Sequence, residues 1–102
     1  MSVLWTEGAW NDLQGAADYI AKDSPRYSAA FVREVRDAAR SLAYLARRGR
    51  VVPEFDDPSI RELLVRSYRL IYQVSDETAR IIALVHGARD LGALWERERR
   101  GL

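Results

Sequence analysis

No cysteine occurs in the 102 residues, and the only histidine is His86. The first absence removes disulfides, thiolate nucleophiles and cysteine zinc sites, and the second removes a zinc site built on several imidazoles. No metal or cofactor is therefore expected, and the cytoplasm is the default compartment. The opening MSVLWTEGAW has neither a basic segment nor a long apolar run. No window approaches the roughly 18 apolar residues of a membrane span, so a soluble protein is expected. Lysine is nearly missing too: Lys22 stands alone among 16 basic residues, and the rest are arginine. GC-rich codon usage produces such a bias, yet the guanidinium fork also suits bidentate contacts to phosphate or carboxylate. The 15 acidic residues leave a net charge of only +1, so any case for nucleic acid has to rest on local clustering. Repeats, low-complexity stretches and linkers are absent as well. Residues 1–102 are expected to form one domain, and a hydrophobic content of 48% is enough for one modest core.

What is present is two helical stripes followed by strand-like runs. Val3 to Trp5 is a short β-prone run, and Thr6 with Glu7 offers a cap and a first-turn carboxylate. Ala9, Leu13, Ala16, Ala17, Ile20 and Ala21 recur three and four apart, predicting a helix that ends near Lys22. Asp23-Ser24-Pro25 supplies a capping side chain and a proline at the first helical position, so a second helix starts at once. Its stripe runs through Tyr27, Phe31, Val35, Ala38, Leu42 and Leu45 for about five turns, with Gly49 as a left-handed stop. After a loop to Pro58 come Ile60 to Val65, Tyr68 to Val74 and Ala79 to His86, joined by short turns as an antiparallel meander. The expected fold is α+β, in the order β-α-α-β-β-β, with the helical hairpin on one face of a small antiparallel sheet. The other sheet face stays partly open. In the C-terminal extension, residues 91–102, Leu91, Leu94 and Trp95 recur at helical spacing, which leaves open either a short last amphipathic helix or a partly ordered extension.

One region gathers residues able to carry chemistry: Arg50, Glu54, Arg61, Glu62, Arg66, Arg69 and His86. Strand alternation turns Arg69, Ile71 and Gln73 away from Tyr68, Leu70, Tyr72 and Val74, placing Arg69 on the open face. If Arg61 and His86 share that face, a cationic pocket forms. RNA cleavage through the 2′-hydroxyl needs a base, an acid and cations around the phosphate, and Glu54, His86, Arg69 and Arg61 have the chemistry for those roles. The plainer alternative is cross-strand pairing for Arg61 and Glu62, and a hydrogen-bonded structural role for His86. Arg33, Arg36, Arg40 and Arg47 recur opposite the apolar stripe of the second helix, diluted by Glu34 and Asp37, as on a solvated face. Among the aromatics, core packing is expected for all but Trp10 and Trp95.

The stretches LWTEGAWNDL, ADYIAKDSP, GRVVPE, IRELLV, YRLIYQV and VHGARD, in this order and spacing, resemble the ParE/RelE superfamily of type II toxin-antitoxin toxins across residues 4 to 90. That resemblance implies a toxin neutralised by a cognate antitoxin, as a homodimer or a toxin-antitoxin heterotetramer. VHGARD resembles the ParE branch, which implies a poison of DNA gyrase rather than an enzyme. GRVVPE and YRLIY resemble the YoeB-like ribonucleases, which cut mRNA on the ribosome; this implies Glu54 as base, Arg69 as phosphate ligand and His86 as acid. Arg50, Arg61, Arg69 and Arg89 are the candidate phosphate or target contacts. Leu91, Leu94 and Trp95 are candidates for partner binding or for packing on their own domain. A non-toxic binding module that keeps the fold is the remaining alternative.

Overall fold

The computed structural model describes residues 1–87. Arg89, Leu91, Leu94 and Trp95, and the C-terminal helix or extension around the last three, lie outside them. Strand β1 (Ser2–Trp5) leads into helix α1 (Glu7–Ala21) and helix α2 (Pro25–Ser41). Four strands follow: β2 (Arg50–Val51), β3 (Ile60–Val65), β4 (Tyr68–Ser75) and β5 (Thr78–His86).

Local chemistry sets the helix starts. The Thr6 hydroxyl accepts the Ala9 N–H at 3.1 Å and donates to the Ile81 carbonyl at 2.9 Å, capping α1 and anchoring it to β5 in one residue. Ser24 caps α2 by accepting from the Tyr27 N–H, with Pro25 in the first turn. The hairpin is closed by the Ser28 hydroxyl, which donates to the Ala17 carbonyl at 2.6 Å.

The sheet order is β1-β5-β4-β3-β2. The expected meander is there, but the sheet is mixed: β1 pairs parallel with β5, and β2 adds an edge within the expected loop. The α-hairpin between β1 and the meander makes this possible, because a parallel neighbour needs a long crossover. Beyond the end of β1, the backbone N–H of Leu84 is accepted by the Asp12 carboxylate of α1 at 3.1 Å, so a helix side chain stands in where the neighbouring strand has stopped.

Both faces of the sheet are packed. On the helix side Leu13, Phe31, Val35, Leu42, Leu63, Leu70, Tyr72 and Ile81 form the main core. The opposite face, expected to be partly open, holds a second cluster of Val52, Ile60, Ile71, Ile82, Ala83 and Val85 with Phe55 against it. A register shift between Ile71 and Tyr72 allows this: Ile71 pairs with Ala83 and Tyr72 with Ile81. The extra residue, Ile82, joins Ala83 in the second cluster.

The end of α2 departs from expectation. The helix stops at Ser41 with Leu42 as its cap in the right-handed region, and the chain turns before reaching Gly49. Ala39 rather than Ala38 is fully buried, while Leu45 and Arg47 lie past the helix and are exposed. No described glycine has a positive φ, so Gly49 is not a left-handed stop. Its constraint is space: a Cβ there would sit 2.6 Å from the Glu62 carbonyl and 2.6 Å from the Tyr72 hydroxyl. That hydroxyl accepts the Gly49 N–H at 3.0 Å and donates to the Ala46 carbonyl at 2.8 Å, clasping the turn to the sheet. Among the aromatics assigned to the core, Tyr72 is fully buried, but Tyr19 and Tyr44 are 68% and 91% exposed. Tyr19 falls off the α1 stripe, and Tyr44 lies in the turn after α2.

Gly49→Ala is expected to destabilise the fold by about 1–3 kcal/mol through overpacking. Gly15→Ala, in α1 with nothing within 4 Å of the added methyl, is expected to stabilise it by about 0.5–1 kcal/mol. Urea unfolding of the two variants should therefore give shifts of opposite sign.

Candidate functional site

The polar residues singled out by sequence are divided by the sheet. On β3, Ile60, Glu62 and Leu64 point to the second face, while Arg61, Leu63 and Val65 point to the helices. On β4, Arg69 and Ile71 share the second face. Directly opposed residues lie on one face, so Tyr68 and His86 are on the helix side and Arg69 and Val85 on the other. Ring contacts agree: His86 meets the Tyr68 ring edge-on at 5.5 Å, and Tyr68 packs on Phe31 of α2 at 5.0 Å. Arg61 and His86 do not share the face of Arg69, so the cationic pocket that such sharing would form is not there. Period-two alternation puts Arg61 and His86 on the face opposite Arg69.

What gathers instead around Arg69 is a chain of four charges. Arg50 stands directly across from Glu62 in the β2–β3 ladder, and its Nε donates to the Glu62 carboxylate. The other Glu62 oxygen accepts from Arg69 Nε, reaching diagonally from β4, where Arg69 pairs with Leu64. The far end of the Arg69 guanidinium makes two parallel bonds of 2.8 Å to Glu54, on the loop after β2. The Glu62 side chain is 0% exposed and that of Arg69 is 7% exposed, whereas Glu54 and Arg50 reach solvent. Two cations and two anions leave the group neutral, which is how an ionised pair persists next to Val52 and Ile71.

The electrostatics follow the geometry. The Arg69 hydrogen bonds hold the Glu54 carboxyl below its ordinary value against a smaller opposing effect of desolvation. Hydrogen bonding to Glu54 and then to Glu62 outweighs burial for Arg69 and pushes it further into its charged form. A carboxylate made less basic is a weaker proton acceptor. An arginine with three of its five N–H donors on two carboxylates has to release Glu54 before it takes a phosphate.

The remaining candidates have other partners. Arg61 donates to the backbone carbonyls of Gly49 at 2.8 Å and Arg47 at 3.3 Å. Arg66, in the left-handed region with φ 55 at the β3–β4 turn, clamps Glu34 of α2 and lies 4.4 Å over the Tyr27 ring. Arg89 lies outside the described residues. Among those residues no three carboxylate or imidazole side chains gather to hold a metal ion, and no helix is long and apolar enough to cross a membrane.

From sequence alone Glu62 is a candidate for ordinary cross-strand pairing, whereas in the structure it is the hub of the charge chain. Its hub role had a signal, since in IRELLV the glutamate shares a face with Ile60 and Leu64, and a carboxylate on an apolar face requires a cation. The Arg66–Glu34–Tyr27 clamp had none, because it joins residues more than thirty apart.

The fold is similar to that of a solved chain from the "Chromosomal ParDE TA system from P. aeruginosa". The two superpose with a TM-score of 0.69, covering 84% of this chain and 95% of that one at 22% identity, a likeness of fold. Residues 3–91 match the family described as "ParE toxin of type II toxin-antitoxin system, parDE". Toxin RelE2 of Caulobacter vibrioides is 35% identical over 88 residues, covering 85% of this chain and 96% of that protein. The chain belongs to the ParE toxin family of type II toxin-antitoxin systems.

Glu62→Gln, which leaves Arg69 without its buried counter-charge, is expected to cost about 3–5 kcal/mol of stability. Glu54→Gln acts differently, because Glu54 reaches solvent. Its pairing stabilises the fold above the unfolded carboxyl value of 4.5, and that stability is lost as pH falls through the lower folded value. The stability gap between wild type and Glu54→Gln should therefore shrink as pH drops from about 6 to about 3 in denaturant titrations.

Proposed function

We propose that this type II toxin acts as a gyrase poison, and that it is not a ribonuclease working through Glu54, Arg69 and His86. One observation carries the reading: Arg69 is held between Glu62 and Glu54, while His86 lies across the sheet. A base, a phosphate ligand and an acid have to converge on one phosphodiester, and here the sheet separates the third from the first two. The family relationship supports a toxin of this class, the resemblance of VHGARD to the ParE branch favours gyrase as target, and the site speaks against the nuclease.

A cognate antitoxin is the expected partner. Leu4 and Trp10 are 55% and 50% exposed, and Trp10 is joined to Trp5 at a ring distance of 5.0 Å. Trp10 with Trp5 forms an apolar patch on the helix side where β1 meets α1, while Leu4 points to the other face of the β1 edge. An exposed apolar patch of this kind is suited to a covering segment of a second protein.

The test runs two assays on the purified protein: DNA supercoiling by gyrase, and mRNA integrity on translating ribosomes. Wild type, Glu54→Gln and His86→Ala are all expected to inhibit supercoiling to within about threefold of one another, a difference of about 0.6 kcal/mol, and to leave mRNA intact. Ribosome-dependent cleavage that disappears in both variants would overturn the reading and restore the nuclease.

A further inference from the structure

The turn after α2 concentrates positive charge in a chain whose net charge is only +1. Between residues 36 and 50 there are Arg36, Arg40, Arg47, Arg48 and Arg50 against the single acid Asp37, whereas α1 carries Glu7, Asp12 and Asp18 and no base. Arg40 pairs with Asp37 and Arg50 with Glu62. Among the described residues, Arg36, Arg47, Arg48 and Arg61 have no carboxylate partner, although acids are nearly as numerous as bases.

These arginines are held together by the fold. Arg61 Nη1 donates to the Arg47 and Gly49 carbonyls from beneath the turn, while its Nε is shut off from solvent with no acceptor. Arg48 donates to the Ser41 hydroxyl at 2.8 Å, fixing the turn against the end of α2. Arg36, Arg40 and the outward Tyr44 line one groove there. The Tyr72 clasp keeps the turn from moving away. Arg47 and Arg48 adjoin in sequence and Arg61 reaches the turn beneath them, so their like charges repel one another, and an anion relieves the repulsion.

We propose that this rim, centred on Arg47 and Arg48 with Arg61 beneath them and Arg36 further back on α2, docks the phosphate backbone of duplex DNA without reading its sequence. Guanidinium forks match phosphate oxygens, and Arg47 and Arg48 sit on a turn rather than on a helix or ribbon that enters a groove, so their contacts are positional. A single-stranded ligand needs a series of stacking platforms, and among the described residues Tyr44 is the one exposed aromatic at the rim. The inference does not depend on gyrase as target, since gyrase inhibition can stand while DNA docking fails, and the reverse.

Fluorescence anisotropy of the full chain with a short labelled duplex of arbitrary sequence, across a salt series, tests it. With three to four phosphate contacts, log K is expected to fall with log salt at a slope of about −3. Arg47→Glu/Arg48→Glu is expected to weaken binding at least about tenfold and to bring the slope about 2 closer to zero. Both side chains are exposed, and an unchanged unfolding midpoint certifies the fold; Arg36→Glu is the second variant if the pair does not fold. Arg26→Glu/Arg33→Glu, on the first half of α2, is expected to retain wild-type affinity. Absence of salt-dependent binding would overturn the proposal, as would equal loss in both double variants. So would stronger competition by polyglutamate or by single-stranded DNA than by unlabelled duplex.

Discussion

The contact between the buried Glu62 carboxylate and Arg69 is the interaction on which the second face of the sheet depends. A carboxylate with no solvent exposure is tolerated only where cations meet it from within hydrogen-bonding distance. Arg69 reaches it from β4 and Arg50 from β2, so one acid ties three strands together. Glu54 then caps the free end of Arg69 and draws the loop after β2 over Ile60, Ile71 and Ile82. Hence the short edge strand, the buried loop residue Val52 and the packed second face share one cause. Against solvent alone, two-residue β2 would be too short to persist.

The same constraint reaches the other face through the backbone of β3. The Glu62 carbonyl lies where a side chain at position 49 would be, so the turn passes close to the sheet only as glycine. Tyr72 and Arg61, on the helix face of neighbouring strands, take up the polar groups of that turn. The result is a rigid connection from α2 to the edge of the sheet that leaves Arg47 and Arg48 outside. Architecture therefore occupies Arg69, whose chemistry suits catalysis, and it presents Arg47, which its spacing assigns to a solvated helix face, together with Arg48.

Local rules made most of the fold legible. Thr6, Ser24 and Pro25 marked the helix starts because capping is decided within four residues, and the three long strands followed from alternation and turn chemistry. Two features depended on tertiary contact and were not legible. Gly49 reads locally as a helix stop, whereas its neighbours at Glu62 and Tyr72 make it a steric requirement. The parallel pairing of β1 leaves no signal in four residues. In the site, alternation placed Arg69 correctly, and the same rule applied across β3 and β5 separates Arg61 and His86 from it. The register between strands, which the sequence does not display, was the missing quantity.

If the four-charge chain is architecture, its inner pair is replaceable by apolar side chains of similar volume, because a buried ion pair is weak evidence of net stability. With gyrase as the proposed target, the most direct test is therefore inhibition of supercoiling by the double variant Glu62→Leu/Arg69→Met, once a cooperative unfolding transition has confirmed its fold. The account predicts inhibition at the wild-type level. A folded double variant that no longer inhibits would contradict it, by showing that the charge of Arg69 acts on the target itself.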